Sequence, residues 1–333
     1  MPEYRTRVVD ADQAGAIAHA AELLLAGEVV ALPTETVYGL AGNALNPTSV
    51  ERIFLAKMRP AFDPLIVHVA DVDAIESLVR MTGPVQDQVD RLTRRFWPGP
   101  LTLLLPRTPK VADPVTAGLD SVAVRAPGHR VFRHVLEATR VPLAAPSANR
   151  FGRISPTAAA HVMAELQGRI PLILDGGPTR LGLESTIVRP TGECLEILRP
   201  GPVTADALRE FGDVVYRSPA GSGPVEVPGQ LPSHYAPNRP VILIDRPDQV
   251  VNPERAALLV WGALPENHPD LAFAASLSET CDLAEAGARL FRLLRAADEQ
   301  PGVGAIYIQR MPEEGLGAAI MNRLRRAAAK REL

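Results

Sequence analysis

The length, composition and charge of this 333-residue chain exclude several classes of protein. A chain of this length is too long for one comfortable hydrophobic core and predicts two domains. Its net charge of -3 argues against a broad nucleic-acid surface, and two distant cysteines without ligand spacing argue against a disulfide or a zinc site. The polar N-terminus lacks the apolar core of a signal peptide, and no apolar run approaches the roughly 18 residues of a membrane span. We therefore expect a cytoplasmic protein without a membrane partner.

The first part of the chain alternates predicted helices and strands. The predicted helices cover residues 12–26, 71–80, 84–95, 131–139 and 156–167, with another through Val50, Ile53 and Phe54. The predicted strands cover residues 29–32, 65–69, 101–105, 121–125, 141–145, 172–174, 185–188 and 195–198. This alternation predicts an α/β domain over residues 1–216, with a twisted, open, mixed sheet and helices on its faces.

Residues 217–240 separate this domain from a predicted second one. The segment is rich in proline and glycine and has almost no apolar periodicity, which predicts an extended linker with little core of its own. Beyond it, the runs VILID, ALLVWG and AIYIQ are separated by helical stretches such as 281–297. They predict a small, parallel, Rossmann-like α/β domain over residues 241–333. No GxGxxG follows its first strand, which argues against a dinucleotide site.

Residues 32–69 carry the strongest chemical signal. A buried strand ends at Pro33 and leads into a polar loop, a helix ending near Lys57 and Arg59, and a second strand that carries His68. An α/β fold assembles an anion site from this order of elements. Only three of the 35 basic residues are lysines. A lysine two residues before an arginine therefore indicates a site that needs one compact ammonium and one planar guanidinium. The alternative is a solvated helix end, where cations suit the helix dipole.

The same segment resembles the threonylcarbamoyladenylate synthase family, which is also called YrdC-like. The matching motifs are LPTETVYGL, KMRP and PLIVHV in this segment, then PSANRFGRISPT at 146–157, ESTIV at 184–188 and ILRPG at 197–201. PSHYAP at 232–237 is similar to the linker of the long, two-domain members, which carry a C-terminal Rossmann-like domain. Residues beyond 240 match mainly by position and length.

The resemblance implies an enzyme that condenses L-threonine, bicarbonate or CO₂, and ATP into threonylcarbamoyl-AMP and pyrophosphate. The product serves threonylcarbamoyladenosine modification of tRNA, so proteins that take it over are implied partners. The resemblance implies that threonine contacts Thr36, His68, the Ala145 backbone and Ser185. A small amino acid needs hydroxyl and carbonyl partners for its ammonium and a donor for its carboxylate, which agrees with this set. The alternative for His68 is a core histidine bonded to a backbone carbonyl.

ATP would be held without a P-loop, because the chain contains no GxxxxGK[ST]. The resemblance implies Lys57 and Arg59 as catalytic groups. The implied ATP contacts are Arg59, Asp63, Ser121, Arg125, Ser147, Asn149, Ser155, Arg199 and Tyr235. Mg²⁺ is expected with ATP because several anions in one pocket repel one another unless cations offset them. No metal site built from protein ligands is expected.

Three of these implied roles have simpler alternatives. Arg125 ends a predicted strand and could form only a surface ion pair. Ser155 could be a plain N-cap of a helix whose first turn contains Pro156. Tyr235 lies in the linker, which the resemblance makes a lid over the nucleotide pocket, and the alternative is a passive spacer.

Three residues depart from the family pattern. Met58 stands where a glycine is usual, and we expect it to need a negative φ that alters the turn. Asp63 stands where an asparagine is usual, so it could oppose ATP, help to hold Mg²⁺ or pair with Arg59. Phe151 stands where a serine is common, which removes a hydroxyl from the pocket edge.

Two other functions compete with this one. A binding module for structured RNA could use the same basic pocket without turning over ATP, although the acidic pI and few aromatic residues argue against it. A carbamoyl-adenylate enzyme that matures hydrogenases is the other alternative. Such chains carry zinc-finger cysteines, which the two lone cysteines of this chain do not provide.

Overall fold

The computed structural model describes residues 4–217, 225–265 and 270–329. They divide into two compact units. The described residues of the first unit fall within Met1–Phe151, Pro156–Thr179 and Glu184–Gln230. Those of the second unit fall within Gly152–Ser155, Arg180–Leu183 and Leu231–Leu333. The predicted division at residues 216 and 240 stays a prediction, and residues 218–224 of the predicted linker lie outside the described residues.

The first unit is built on a large mixed sheet, as predicted. Its strands are β1 (Arg7–Asp10), β2 (Val30–Leu32), β3 (Gly39–Asn43), β4 (Ile66–His68), β5 (Leu101–Pro106), β6 (Ser121–Arg125), β7 (Leu143–Ala144), β8 (Leu172–Asp175), β9 (Thr186–Pro190), β10 (Cys194–Arg199) and β11 (Asp213–Tyr216). Its helices are α1 (Ala16–Leu25), α2 (Pro47–Lys57), α3 (Pro84–Phe96), α4 (Asp113–Thr116), α5 (Arg130–Thr139), α6 (Ala159–Leu166) and α7 (Ala205–Leu208).

The strand order in this sheet is β1-β8-β2-β3-β7-β4-β6-β5-β9-β10-β11. The sheet contains parallel pairs such as β4 with β6 and antiparallel pairs such as β5 with β6. Both faces are covered, because Ala31 packs into one apolar cluster while its neighbours Val30 and Leu32 pack into another. Side chains of a strand alternate between faces, so a continuous apolar run such as β2 fits a sheet with both faces buried.

The predicted helix over residues 71–80 is wrong. Only a 3₁₀ turn forms there, at Asp73–Ile75. The following backbone instead bonds to the chain after β5: the Arg80 N–H donates to the Pro106 carbonyl at 2.8 Å, and the Thr108 N–H donates to the Leu78 carbonyl at 2.8 Å. Apolar spacing cannot reveal this pairing, because the two partners are distant in sequence.

The helix predicted over residues 156–167 begins later than expected. α6 starts at Ala159, and its N-cap Ala158 makes no side-chain capping bond. The expectation that Ser155 caps this helix is therefore wrong, since Ser155 lies three residues before the cap. Strands β1, β3 and β11 were not predicted, and neither was a strand over Phe273–Ser276 of the second unit. The sequence of β3 is GLAGN, whose glycines obscure a strand pattern.

The second unit contains a parallel sheet, which confirms the predicted Rossmann-like character. Its strands are β12 (Val241–Ile244), β13 (Ala256–Val260), β14 (Phe273–Ser276) and β15 (Ala305–Gln309), and its longer helices are α8 (Leu283–Glu299) and α9 (Leu316–Ala328). The strand order is β12-β15-β13-β14, with every neighbouring pair parallel. The C-terminal helix α9 buries Ile320, Met321 and Leu324 and so contributes to the core of this unit.

The described part of the predicted linker has more core than expected. Val227 is fully buried and packs with Ile187 and Leu198 of the first unit, whereas Tyr235 is buried in the second unit. The proline and glycine content of the linker predicted its irregular backbone, but it did not predict that Val227 and Tyr235 would be buried. Among the helices of the described residues, none is long and apolar enough to cross a membrane.

Candidate active site

The loop between β2 and β3 presents Thr36 through a turn closed by Thr34. Thr34 Oγ1 accepts hydrogen bonds from the N–H groups of Thr36 at 3.0 Å and Val37 at 3.1 Å. It also donates to the Val37 carbonyl at 2.7 Å and lies 2.6 Å from Thr36 Oγ1. Hydroxyl side chains stabilise turns in this way, so the loop holds Thr36 in one orientation.

Arg125, the last residue of β6, contacts this loop directly. Its Nη1 donates to Thr36 Oγ1 at 3.1 Å, its Nη2 to Glu35 Oε1 at 2.6 Å and its Nε to the Gly99 carbonyl at 3.0 Å. The other Glu35 oxygen accepts from the Gly128 N–H at 3.0 Å. Burial opposes ionisation of Glu35, but the charge and hydrogen bond of Arg125 hold its pKa below the usual value. Arg125 and Glu35 are therefore a buried ion pair, and the surface-pair alternative for Arg125 is wrong.

His68 ends β4 and lies beside Arg125 in the parallel register of β4 and β6. Its ring packs against Phe132 at 5.0 Å between centroids, and its Nδ1 is buried without a hydrogen-bond partner among the described residues. Burial and then the nearby Arg125 charge lower the pKa of His68 to about 3, so the ring is neutral. Ala145 lies one strand away, where its N–H donates to the Ile66 carbonyl at 3.0 Å.

Lys57 is the last residue of α2, and its side chain is buried. Its Nζ donates to the Ser147 carbonyl at 2.5 Å and to the Asn149 carbonyl at 2.6 Å. Burial and the neighbouring Arg59 charge lower the pKa of Lys57 well below its usual value. The solvated helix-end alternative is therefore wrong, because this ammonium ties the helix end to the loop after β7.

The turn after Lys57 keeps a left-handed residue despite the absence of glycine. Met58 adopts φ 54° and ψ 40° as the C-cap of α2, so the expected negative φ is wrong. The cap bonds hold it there: the Arg59 N–H donates to the Phe54 carbonyl at 3.0 Å, and the Phe151 N–H donates to the Lys57 carbonyl at 2.8 Å. A side chain in this conformation costs about 1 kcal/mol, which the surrounding bonds offset.

Arg59 and Asp63 form a buried ion pair, with Arg59 Nη2 2.9 Å from Asp63 Oδ1. Arg59 also donates to the backbone carbonyls of Asp63 at 3.0 Å and Pro64 at 2.7 Å, so these bonds fix its guanidinium in the turn. Burial raises the pKa of Asp63, and the charges of Arg59, Lys57 and Arg199 oppose that rise. Of the three roles considered for Asp63, the structure provides the pairing with Arg59.

Arg199, at the end of β10, fixes Ser185. Its Nη2 donates to Ser185 Oγ at 3.0 Å, its Nε to the Ser185 carbonyl at 3.1 Å and its Nη1 to the Pro228 carbonyl at 3.1 Å. Ser185 Oγ also lies 2.7 Å from Thr102 Oγ1. Sequence reasoning missed Thr102, although a lone hydroxyl inside the apolar strand β5 was a usable signal.

Ser121 lies apart from these residues. It begins β6, which ends at Arg125, so roughly 13 Å of extended strand separate the two. Ser121 lines a different cavity of about 690 Å³, together with Arg80 and Arg189. Among the described residues that line this cavity, no other predicted site residue occurs. An ATP contact by Ser121 stays a prediction.

Ser155 and Tyr235 belong to the second unit, where both are buried. The Tyr235 ring stacks on Phe291 at 5.5 Å, and Arg323 lies 5.5 Å from its centroid. His234 packs edge-on against the same ring at 4.1 Å. The predicted ATP contacts of Ser155 and Tyr235, and the lid role of the linker, stay predictions.

Known proteins resemble this chain over almost its whole length. A family model described as "Telomere recombination" matches residues 22–201, and one described as "Threonylcarbamoyl-AMP synthase, C-terminal domain" matches residues 203–329. The threonylcarbamoyl-AMP synthase of Bacillus subtilis is 40% identical over 95% of this chain and 93% of its own length. That of Pyrococcus abyssi is 39% identical over 94% of each chain.

Two solved structures of P. abyssi Sua5 have the same fold. One is complexed with L-threonine and has a TM-score of 0.86 at 36% identity, and the other is an H234A/Y235A variant with a TM-score of 0.87 at 34% identity. Each match covers 97% of this chain and 96% of the solved chain. The two family models together, and each of these relatives and structures alone, cover most of the chain. The chain therefore belongs to the threonylcarbamoyl-AMP synthase family in its long, two-domain form.

Proposed function

We propose that this chain condenses L-threonine, bicarbonate or CO₂, and ATP into threonylcarbamoyl-AMP and pyrophosphate. The observation that carries this proposal is the combination of two neighbouring sets of buried groups in the first unit. One set is a hydroxyl, a neutral imidazole and a paired guanidinium. The other is a cluster of basic groups that outnumber the two carboxylates acting on them, Asp63 and Glu165. A zwitterionic amino acid suits the first set, and a polyphosphate suits the second.

We propose that threonine binds to Thr36, His68 and Ser185. Arg125, for which the resemblance implies an ATP contact, is proposed to join this set because it donates to Thr36 Oγ1 at 3.1 Å. Within the described residues, Arg125 uses three of its five N–H groups on Gly99, Thr36 and Glu35, which leaves two for a substrate carboxylate. Neutral His68 offers one ring nitrogen as a donor or acceptor without adding charge. The Ala145 carbonyl is proposed as a further acceptor, since its N–H is already bonded.

We propose that three basic side chains face the ATP phosphates, namely Lys57, Arg59 and Arg199. The loop that Lys57 anchors is proposed to supply further polar contacts through Ser147 and Asn149. Two carboxylates, Asp63 and Glu165, act on this cluster, and the basic groups outnumber them. The resulting positive site would stabilise the charge that develops on departing pyrophosphate. In its protonated form, Lys57 has one N–H beyond the two donated to backbone carbonyls, and we propose that this donor serves the reacting groups.

Mg²⁺ is proposed to arrive with ATP. The described residues contain no cluster of three or more His, Cys, Asp or Glu side chains that could hold a metal. Mg²⁺ in nucleotide sites commonly takes one or two carboxylates, with phosphates and water completing the shell. Asp63 Oδ1 is paired with Arg59 at 2.9 Å, and Asp63 Oδ2 is buried with no hydrogen bond among the described residues, so this second oxygen fits that need. When bound, the ion would supply charge neutralisation between the phosphates.

The chemistry needs no protein nucleophile. The threonine amine attacks CO₂ and loses a proton to solvent to give a carbamate, or it attacks bicarbonate with loss of water. The carbamate oxygen then attacks the α-phosphorus of ATP, and the bond to the β-phosphate oxygen breaks to release pyrophosphate. Catalysis would consist of positioning two reactants and stabilising charge. Handover of the product to tRNA-modifying proteins, and a cytoplasmic location, remain part of this proposal.

A direct product measurement tests the proposed function. Purified protein is incubated with ATP, isotopically labelled L-threonine, bicarbonate and Mg²⁺, and products are followed by mass spectrometry and by pyrophosphate release. We expect a threonine-dependent adduct of AMP and one pyrophosphate per adduct. Release of pyrophosphate without threonine, or salt-sensitive tRNA binding without any ATP turnover, would contradict the proposal.

A further inference from the structure

We propose that Glu35 is a positioning residue for the amino-acid pocket, because its carboxylate holds Arg125 against Thr36. This inference rests on the proposed function, which assigns Thr36 and Arg125 to threonine. Glu35 was not among the predicted site residues, and it does not touch the substrate in this role. It acts through the two side chains that do.

One carboxylate joins three separate parts of the chain. Glu35 lies in the loop after β2, and it binds the end of β6 through Arg125 at 2.6 Å and the following loop through the Gly128 N–H at 3.0 Å. Arg125 in turn donates to Thr36 Oγ1 at 3.1 Å. The orientation of the Thr36 hydroxyl therefore depends on a guanidinium whose own orientation depends on Glu35.

Burial makes the charge of Glu35 matter. Glu35 is 7% exposed and Arg125 is 3% exposed, so water cannot replace either partner. Removing one member of a buried ion pair leaves the other uncompensated, and the remaining charge then turns toward any other acceptor. With Glu35 uncharged, Arg125 would retain the Gly99 carbonyl but lose its only charged partner among the described residues. The bond to Thr36 and the two spare N–H groups would no longer be held in place.

A glutamine cannot replace this carboxylate, although it has the same shape. The carboxylate accepts from Arg125 with one oxygen and from Gly128 with the other. The amide of glutamine has one acceptor and two donors, so one of these two N–H groups would face another N–H. The chain thus needs an acceptor on both sides, which only Asp or Glu provides, and Asp is one methylene shorter.

The test compares Glu35→Gln with wild type in the complete chain. We measure kcat and KM for threonine and for ATP, threonine affinity by calorimetry, and the melting temperature. We expect the threonine KM to rise about 30-fold, as loss of a charge-assisted buried hydrogen bond implies, while the ATP KM changes less than about twofold. Glu35→Asp provides a second variant. It keeps the charge but not the reach, and we expect a smaller rise in threonine KM.

Glu196→Gln is the matched control. Glu196 of β10 accepts from Arg189 of β9 at 3.0 Å and from Arg217, which follows β11, at 2.8 Å, and none of these three residues is proposed to bind a substrate. We expect this variant to lower the melting temperature without changing either KM. A merely structural Glu35 would behave in the same way, so equal changes in both KM values, or none, would overturn the inference. Failure of wild type to form product would instead overturn the proposed function.

Discussion

Lys57 Nζ lies 2.5 Å from the carbonyl oxygen of Ser147, and the same ammonium reaches the Asn149 carbonyl at 2.6 Å. Lys57, which the sequence indicates as an anion-binding residue, therefore donates two of its three N–H groups to the backbone. It anchors the loop that carries two of the proposed nucleotide-binding residues. Any ligand of Lys57 would share the ammonium with these carbonyls.

Replacing Lys57 with methionine should loosen this loop as well as abolish activity. The Ser147 and Asn149 carbonyls would lose a charged donor, and we expect the free energy of unfolding to fall by about 2 kcal/mol. Hydrogen exchange of the amides of residues 147–151 should become faster, and pyrophosphate release should stop. Lys110→Met is the control, because Lys110 is exposed and its Nζ bonds only to Ser77 Oγ, at 3.0 Å, among the described residues. Unchanged exchange in Lys57→Met would contradict the anchoring role.

Replacing Met58 with glycine should stabilise the protein. The left-handed φ of 54° strains a residue with a Cβ, and the Met58 side chain is 64% exposed, so little packing is lost. We expect the free energy of unfolding to rise by about 1 kcal/mol in urea denaturation. Met58→Ala keeps the Cβ and should give no such gain. An equal gain in both variants would show that the side chain, and not the backbone, causes the strain.

Replacing Asp63 with asparagine separates its possible roles. The two backbone bonds of Arg59 in this turn do not depend on the carboxylate, so Arg59 should stay in place. If the carboxylate only opposes the phosphates, the KM for ATP should fall about tenfold, as expected for removing one like charge several ångströms away. The measurement is the ATP KM at several Mg²⁺ concentrations. A higher Mg²⁺ requirement in the variant would instead show that Asp63 serves the metal.

Neutral His68 should make stability depend on pH. The unfolded chain binds a proton at this residue near the usual value of 6.5, whereas the folded chain does so only at about 3. The corresponding stability is fully present above pH 6.5 and is lost as the pH falls toward 3. Between pH 6 and pH 4, wild type should lose about 2 to 3 kcal/mol more than His68→Gln.

Urea unfolding at a series of pH values measures this difference. His19→Gln is the control, since His19 lies on α1 with about half of its side chain exposed. It should show the same pH dependence as wild type. Parallel curves for wild type and His68→Gln would mean that the folded protein accommodates the charged imidazole.

Local patterns were enough to identify the elements that carry most of the proposed site. The end of β6 at Arg125, the end of α2 at Lys57 and the strand around His68 were all predicted, because apolar runs and helical spacing depend on neighbours in the sequence. The segment 71–80 shows where this reasoning fails. Its backbone pairs with residues 106–108, and no local signal competes with such a distant partner.

The sequence by itself determined which residues could hold an amino acid and a polyphosphate, and it determined the order of the elements that present them. Only the tertiary structure decided how these groups pair. Glu35 meets Arg125 across 90 positions, Lys57 meets Ser147 across 90, and Thr102 meets Ser185 across 83. The physical reason is that a buried charge or hydroxyl takes whichever partner the fold brings within 3 Å, and the identity of that partner is not encoded near it in the chain.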